Sequence, residues 1–337
     1  MIQKTASNQS IFQNMNPISI SPKDDAFHNL QKFINIEWWY FDAILNDDYT
    51  LHAGVRIYHS KKIGLVQTTI NIYKRGKLIA HSLKRDLLNN IIFDEDLPNI
   101  STKDQQIITF NKEEYKTKNK WEYKFKSEID NIQLNLTFTG ITQGWKIVTS
   151  DTCWVVPLPK ALVRGSVGIR GKNVEVHGIG YHDHNWNYSP ITAMNNYGWF
   201  WGRIFTDSYS ITWANTKTSS HHNTLLAIIN KDNDLTNNGY INFLPSNITF
   251  IADHFVSNHR KKIPTHFNLK INQTESKTKI PIRVHVDLDS VEIHYSRIFT
   301  INYWRYHTQS SGEIQYNKQR ESIDKRTQII EFLNFKS

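Results

Sequence analysis

Apolar and polar residues alternate with a period of two along most of this chain. Leu51, Ala53, Val55 and Ile57 are separated by His52, Gly54, Arg56 and Tyr58, and after a turn at 61–64 the run from Val66 to Tyr73 follows. Successive side chains of an extended strand point to opposite faces, so this spacing predicts an antiparallel meander. Further strands are expected at 77–81, 106–111, 121–127, 132–140, 145–150 and 166–170, and through 178–186. The second half repeats the style, with expected strands at 198–205, 208–216, 224–230, 240–244, 266–271, 283–289, 299–306 and 328–335. Turn signals recur about every eight to twelve residues, and the one helix start is Ser21-Pro22, with serine as N-cap and proline at the first helical position. The pattern predicts an all-β protein, two antiparallel barrels or sandwiches in tandem. Pro157 and Pro159 cannot donate to a ladder, so the segment Val155–Lys160 is expected to be a crossing or edge segment. The polar, unpatterned stretch 187–196 sets the expected boundary between an N-terminal domain, 1–190, and a C-terminal domain, 191–337.

The 337 residues are enough for two such cores, and 17 Phe, 15 Tyr and 10 Trp make those cores aromatic. No apolar stretch approaches the length of a membrane span, and residues 1–30 lack the features of a secretory signal. The single Cys153 sits beside Trp154 in an apolar run and reads as a buried thiol in a reducing, cytoplasmic setting. A net charge of +9 permits peripheral contact with acidic membranes or nucleic acid. Its distribution argues against a dedicated nucleic-acid site: Lys116, Lys118, Lys120, Lys124 and Lys126 fall at even positions, with Trp121, Tyr123 and Phe125 between them, as on a strand with one solvated face.

Candidate chemistry concentrates in Gly178-Ile179-Gly180-Tyr181-His182-Asp183-His184-Asn185-Trp186. Alternation places His182, His184 and Trp186 on one face and Tyr181, Asp183 and Asn185 on the other. His182 and His184 could form a metal pair completed by His52, His221 or His222, but no HExxH helix, CxxC pair or carboxylate cluster supports it, and no metal is expected. No nucleophile elbow, phosphate loop or dinucleotide fingerprint occurs, so no cofactor is expected either. What remains is acids among aromatic rings. Tyr197, Trp199, Trp201, Arg203 and Phe205 share one strand face, a wall suited to a large apolar ligand with one polar end. The plainer reading of that strand is a barrel core with an ion pair between Arg203 and an acid such as Glu37. Glu37, Trp39 and Asp42 lie in a second aromatic run, Glu37-Trp38-Trp39-Tyr40-Phe41-Asp42, where the acids read either as structural or as part of the site. Asp183, if enclosed by apolar walls, would hold its proton near neutrality and serve as a general acid.

These residues resemble the hydroxyneurosporene synthase (carotenoid 1,2-hydratase) and AttH-like family, which includes lipocalin-type Diels–Alderases. The signatures run in order: Asp25-x-x-His28, then Glu37-Trp38-Trp39-Tyr40-Phe41, then Trp154-Val155-Val156-Pro157-Leu158-Pro159. Gly165-Ser166-Val167 follows, then the 178–186 run, and finally Trp199-x-Trp201-Gly202-Arg203. The resemblance implies two lipocalin-like domains, an apolar pocket within or between them, and cofactor-independent hydration, cyclisation or cycloaddition of a hydrophobic unsaturated substrate. It gives His184 and Trp186 weight in the hydratase branch, together with a tyrosine and an aspartate on the next strand but one. Here that strand carries Trp213 and Asn215 instead, and Asn187 replaces the glycine usual after the tryptophan. Those departures weaken carotenoid hydration as the specific reaction.

The combined expectation is a cyclase or hydratase-like enzyme acting on a terpenoid or polyene. Asp183 would be its acid, with His182, His184 and Tyr181 as relays or orienters. Trp186, Trp199, Trp201 and Trp213 would form its aromatic wall, with Glu37, Trp39, Asp42 and Asn215 contributing, and Arg203 would anchor a polar end. A Diels–Alderase-type pocket activated by Tyr181 or Arg203 and a non-catalytic carrier of a hydrophobic small molecule are the alternatives.

Overall fold

The computed structural model describes residues 16–30, 34–61, 63–149, 152–189, 197–217, 223–235, 239–275, 280–298 and 301–335. The first sheet contains β1 (Asn35–Leu45), β2 (Tyr49–Ser60), β3 (Ile63–Lys74), β4 (Lys77–Leu87), β5 (Ile91–Phe93) and β6 (Ile100–Thr102). It continues with β7 (Gln106–Phe110), β8 (Glu122–Ile129), β9 (Ile132–Gly140), β10 (Trp145–Val148), β11 (Cys153–Ile169) and β12 (Lys172–Tyr188). Its antiparallel order is β4-β3-β2-β1-β12-β11-β9-β8-β7-β6-β5, with β10 also on β11. The sheet curls until β4 meets the β8–β9 hairpin, where the Ser82 hydroxyl lies 2.9 Å from the Asp130 carboxylate.

The second sheet contains β13 (Gly198–Phe205), β14 (Tyr209–Lys217), β15 (Asn223–Lys231), β16 (Tyr240–Asn242) and β17 (Ile248–Asp253). After a small separate hairpin, β18 (Val256–Asn258) and β19 (Lys261–Ile263), it resumes with β20 (His266–Thr274) and β21 (Pro281–Ile298). It closes with β22 (Ile301–Tyr316), β23 (Gln319–Ser322) and β24 (Arg326–Asn334). The order is β16-β15-β14-β13-β24-β22-β21-β20-β17, with β23 also on β22. Two lipocalin-like antiparallel barrels in tandem result, each around its own apolar core. The boundary expected within 187–196 falls largely on residues outside the described set.

A third apolar layer lies between the barrels. Odd-numbered residues of β1, among them Trp39 and Phe41, enter the first core. The even-numbered Trp38, Tyr40 and Ile44 pack instead with Tyr181, Trp201 and Phe205. Both faces of β1 are therefore covered, which accounts for its nearly continuous burial.

A fully buried ionic lock crosses this layer. Asp42 of β1 accepts from Arg203 Nε of β13 at 2.7 Å and from Arg305 Nη2 of β22 at 3.2 Å. Arg305 Nη1 reaches on to Glu331 of β24 at 2.6 Å. The Thr50 hydroxyl and His307 Nε2, 2.7 Å apart, form a second crossing.

Two expectations are corrected. The proline segment 155–160 is no edge: it lies inside β11, bonded to β12 on one side. Its register there shifts between Val155 and Leu158 and again between Leu158 and Ala161. On its other side it falls between the partners of Val156 in β10 and of Ala161 in β9, so the prolines sit where few donors are called for. The lysine alternation from 116 to 126 is not one strand either. Lys112–Lys118 is α1, capped by the Asn111 side chain and ended by Asn119 at φ 52, and the solvated strand face begins only at β8. The helix start at Ser21 produces a single 3-10 turn, Pro22–Asp25, which delivers Asp25 into the first barrel. Among the described residues no helix is long and apolar enough to cross a membrane.

Removing Asp42 would leave the buried Arg203 guanidinium without its carboxylate and Arg305 with Glu331 alone, so Asp42→Ala should cost about 3–5 kcal/mol in urea unfolding. Asp96→Ala, which removes only the exposed pair with Lys23, should leave the unfolding midpoint unchanged.

Candidate active site

The two faces of β12 carry two different sets of chemistry. Toward the first barrel, His182 Nε2 lies 3.1 Å from Asp25 Oδ2, and its Nδ1 lies 2.9 Å from the Tyr40 carbonyl. Tyr123 donates to the same Asp25 oxygen at 2.6 Å. His184 Nε2 is 2.9 Å from Glu37 and its Nδ1 is 3.4 Å from Asp25, so its ring bridges two carboxylates. Aromatic planes fix these rings: His182 stacks on Phe41 at 3.9 Å, His184 on Trp39 at 4.2 Å and His28 on Trp186 at 3.8 Å.

Burial alone would discharge His184, but its bonds to Asp25 and Glu37 and their charges raise it to about 9. Burial pushes the Asp25 carboxyl upward, yet the two imidazoles outweigh it and hold Asp25 at about 2. Glu37 is lowered in the same way by His184 and His28 against its burial. His28 Nδ1, His184 Nε2 and a Glu37 oxygen lie within 4.8 Å of one another and are metal-ligating types. In this arrangement both imidazoles bond to the same Glu37 oxygen, and His184 is the cation. The metal pairing considered from sequence is thereby rearranged: His182 turns to Asp25, His52 lies on the opposite face of the sheet, and His221 and His222 lie outside the described residues.

The other face opens into a cavity of about 620 Å³ between the two sheets. Trp38, Trp154 and Tyr188 wall it from the first sheet and Trp199, Trp201 and Leu333 from the second. Asp183 lies among these rings, 6% exposed. Its Oδ2 accepts from Trp154 Nε1 at 2.9 Å and from the Tyr181 hydroxyl at 2.8 Å, and its Oδ1 accepts from Asn185 at 3.1 Å. Burial outweighs these donors, and with the nearby Glu331 charge it raises the Asp183 carboxyl to about 7. Glu331 also lines the cavity and receives the hydroxyls of Tyr40 and Tyr303, each at 2.6 Å, besides Arg305.

The residues expected at the site thus separate into four groups. Asp183, Trp199 and Trp201 line the cavity, with Tyr181 directly behind Asp183. Glu37, His182, His184 and Trp186 belong to the inner network, as does Trp39, which also borders the cavity. Arg203 and Asp42 are spent on each other in the ionic lock; the acid paired with Arg203 is Asp42 and not Glu37, because Asp42 has the even parity that faces β13. Trp213 packs on Phe250 inside the second barrel, with Asn215 on the same face of β14. Gly202 makes room for Trp213: a Cβ there would come within 2.5 Å of the indole.

Asp25 and Glu331 were not singled out as site residues from sequence. Asp25 had only the signature spacing to His28 as a sign, and Glu331 only its place as the single acid in Ile329-Ile330-Glu331-Phe332-Leu333.

No protein-family model and no curated protein matches the chain. Solved structures do. A protein described as a putative AttH from Nitrosomonas europaea superposes with a TM-score of 0.63 at 14% identity, over 94% of this chain and 97% of that one. CghA with Sch210972 gives 0.60 at 12% identity over 94% of each chain. Kievitone hydratase from Nectria haematococca gives 0.53 at 10% identity over 95% and 96%. These likenesses establish the fold.

The inner network should be visible in the pH dependence of stability. The His184 pKa is raised in the folded protein, so its stabilisation is complete below about pH 6.5 and is lost as pH rises through about 9. The gap in melting temperature between the wild type and His184→Gln should therefore narrow from pH 7 to pH 10. A gap that stays constant over that range would mean that His184 is neutral.

Proposed function

We propose that the chain is a cofactor-independent cyclase or hydratase-like enzyme that acts on a hydrophobic unsaturated substrate, a terpenoid or polyene, with Asp183 as general acid. The observation that carries this reading is one carboxyl group, enclosed by indole rings, whose pKa lies near neutrality. The folds of a hydratase and of CghA bound to Sch210972 agree with such a use of the cavity.

Oδ2 already accepts two hydrogen bonds, so Oδ1 is the oxygen that carries the proton. Transfer of that proton to one carbon of an alkene breaks the π bond and leaves a cation on the other carbon and a carboxylate on Asp183. The faces of Trp154, Trp199 and Trp201 stabilise the cation by about 0.5–2 kcal/mol per contact. Attack by a second double bond closes a ring, and loss of a proton to the Asp183 carboxylate restores the acid. If a water is retained it adds instead, and its extra proton returns to Asp183 by the same route. Tyr181 and Asn185 orient the carboxyl group throughout. His182 and His184 contribute through the barrel that supports β12, and the chain divides into its two barrels near residue 190.

Arg203 is committed to Asp42 and Tyr181 to Asp183, so neither of the two donors considered from sequence for a carbonyl-activating pericyclic site is free for that use. Acid catalysis is therefore the reading favoured over cycloaddition.

Turnover in heavy water should place one deuterium on product carbon, and the rate should fall as pH rises through about 7. Asp183→Asn should reduce turnover by at least about 100-fold, the scale of a lost general acid, with ligand binding retained. Undiminished turnover by this variant would remove Asp183 from the mechanism, and product without deuterium would point back to ring closure without protonation.

A further inference from the structure

The cavity floor is the outer face of the first sheet, and the strand register lays it out as rows. One row runs across six strands: Trp154 of β11, Asn185 of β12, Trp38 of β1, Arg56 of β2, Gln67 of β3 and Arg85 of β4. The next row holds Asp183, Tyr40, Gly54, Thr69 and Leu83 in the same strand order from β12. The floor therefore changes character along one direction. Near β11 and β12 it is aromatic and carries Asp183, whereas from β2 to β4 it is polar and cationic.

Among the described residues the cationic end is not neutralised from within. Among the described residues, no carboxylate lies within 4.0 Å of the guanidinium of Arg56, of Arg85 or of Arg297, which borders the same cavity from the end of β21. The contacts of Arg56 are the Tyr58 hydroxyl at 3.4 Å and the Trp38 ring at 5.9 Å, both of which leave its charge uncompensated. The cavity's acids do not supply the missing charge: Glu331 is taken up by Arg305 at 2.6 Å, and Asp183 is bonded at the opposite end.

Arg56 and Arg85 stand two strands apart on one face, with the amide of Gln67 between them. At about 4.8 Å per strand their backbones are about 10 Å apart, close enough for both long side chains to converge on one group. Beside them His52, Asn71 and His81 form a hydrogen-bonded chain, with Asn71 Nδ2 3.0 Å from His52 and Asn71 Oδ1 2.6 Å from His81. Burial, together with the charges of Arg305 and Arg56, holds His52 well below its usual pKa, so it adds no charge of its own.

We propose that the cavity binds an amphipathic anion, with an unsaturated apolar body along the tryptophan wall beside Asp183 and a carboxylate or phosphate head held by Arg56, with Arg85 and Arg297 at the mouth. A guanidinium offers paired donors matched to the oxygens of either head group. The two ends are separated by two strand spacings, about 10 Å along the sheet. This assignment deepens the proposed function and rests on it for the orientation of the body toward Asp183.

The test uses cis-parinaric acid, a conjugated tetraene, and its methyl ester, with binding followed by quenching of the cavity tryptophans at pH 7.5. The wild type should bind the acid at least about tenfold more tightly than the ester. Arg56→Met should erase most of that preference and leave ester affinity within about twofold, and Arg56→Lys should restore part of it. Displacement of bound parinarate by farnesyl phosphate at concentrations where farnesol has no effect would identify a phosphate head; displacement by neither, with the acid preference intact, would identify a carboxylate. Equal affinity for acid and ester, or a preference that survives Arg56→Met, would overturn the assignment. Neither result touches the heavy-water readout of Asp183, so the two proposals fail separately. Failure of the wild type to bind either probe would overturn the amphipathic ligand as a whole.

Discussion

The interaction on which the rest of this structure depends is the enclosure of one carboxylate, Asp42, by two arginines from the neighbouring barrel. Three charges removed from water tolerate little displacement, because a lost contact leaves a bare charge in an apolar layer. Apolar packing alone would let two aromatic faces slide, since it has no preferred direction. The lock fixes their register. Through Arg305 it also fixes Glu331, and through Glu331 the hydroxyls of Tyr40 and Tyr303, so that much of the polar lining of the cavity hangs on one ionic contact.

That cavity exists because the interface is incomplete. Tyr40, Tyr181, Trp201 and Phe205 pack around the lock, but beside Trp38 and Trp154 room remains between the two sheets that is walled by rings rather than filled by them. Asp183 sits at the transition from filled to open space. It has lost most of its hydration, and three hydrogen bonds do not fully restore it.

Local patterning made much of this legible. Period-two alternation gave the strand Gly198–Phe205 with its bounds, and it assigned the two faces of 178–186 correctly. It could not say which face would meet the cavity, because that depends on where the second barrel docks. The same limitation explains Arg203, whose partner is 161 residues away. Glu331 was obscured because an acid inside an apolar strand reads as an interruption until its three donors arrive from β1 and β22. Two local errors had local causes. The lysines from 116 to 126 keep an even spacing straight through the end of a helix, and the prolines of β11 are accommodated by shifts in register that no alternation pattern encodes.

β1 and β12 hold their barrel together with one face and shape the cavity with the other. Glu37, His182 and His184 keep their partners whatever stands at Trp38, Asp183 or Asn185, because the sheet itself separates them. A substitution on the cavity face alters what the space accepts without disturbing the network that closes the barrel. A scaffold arranged in this way can drift a long way in substrate preference before its folding suffers, and its inner and outer residues are free to change at different rates.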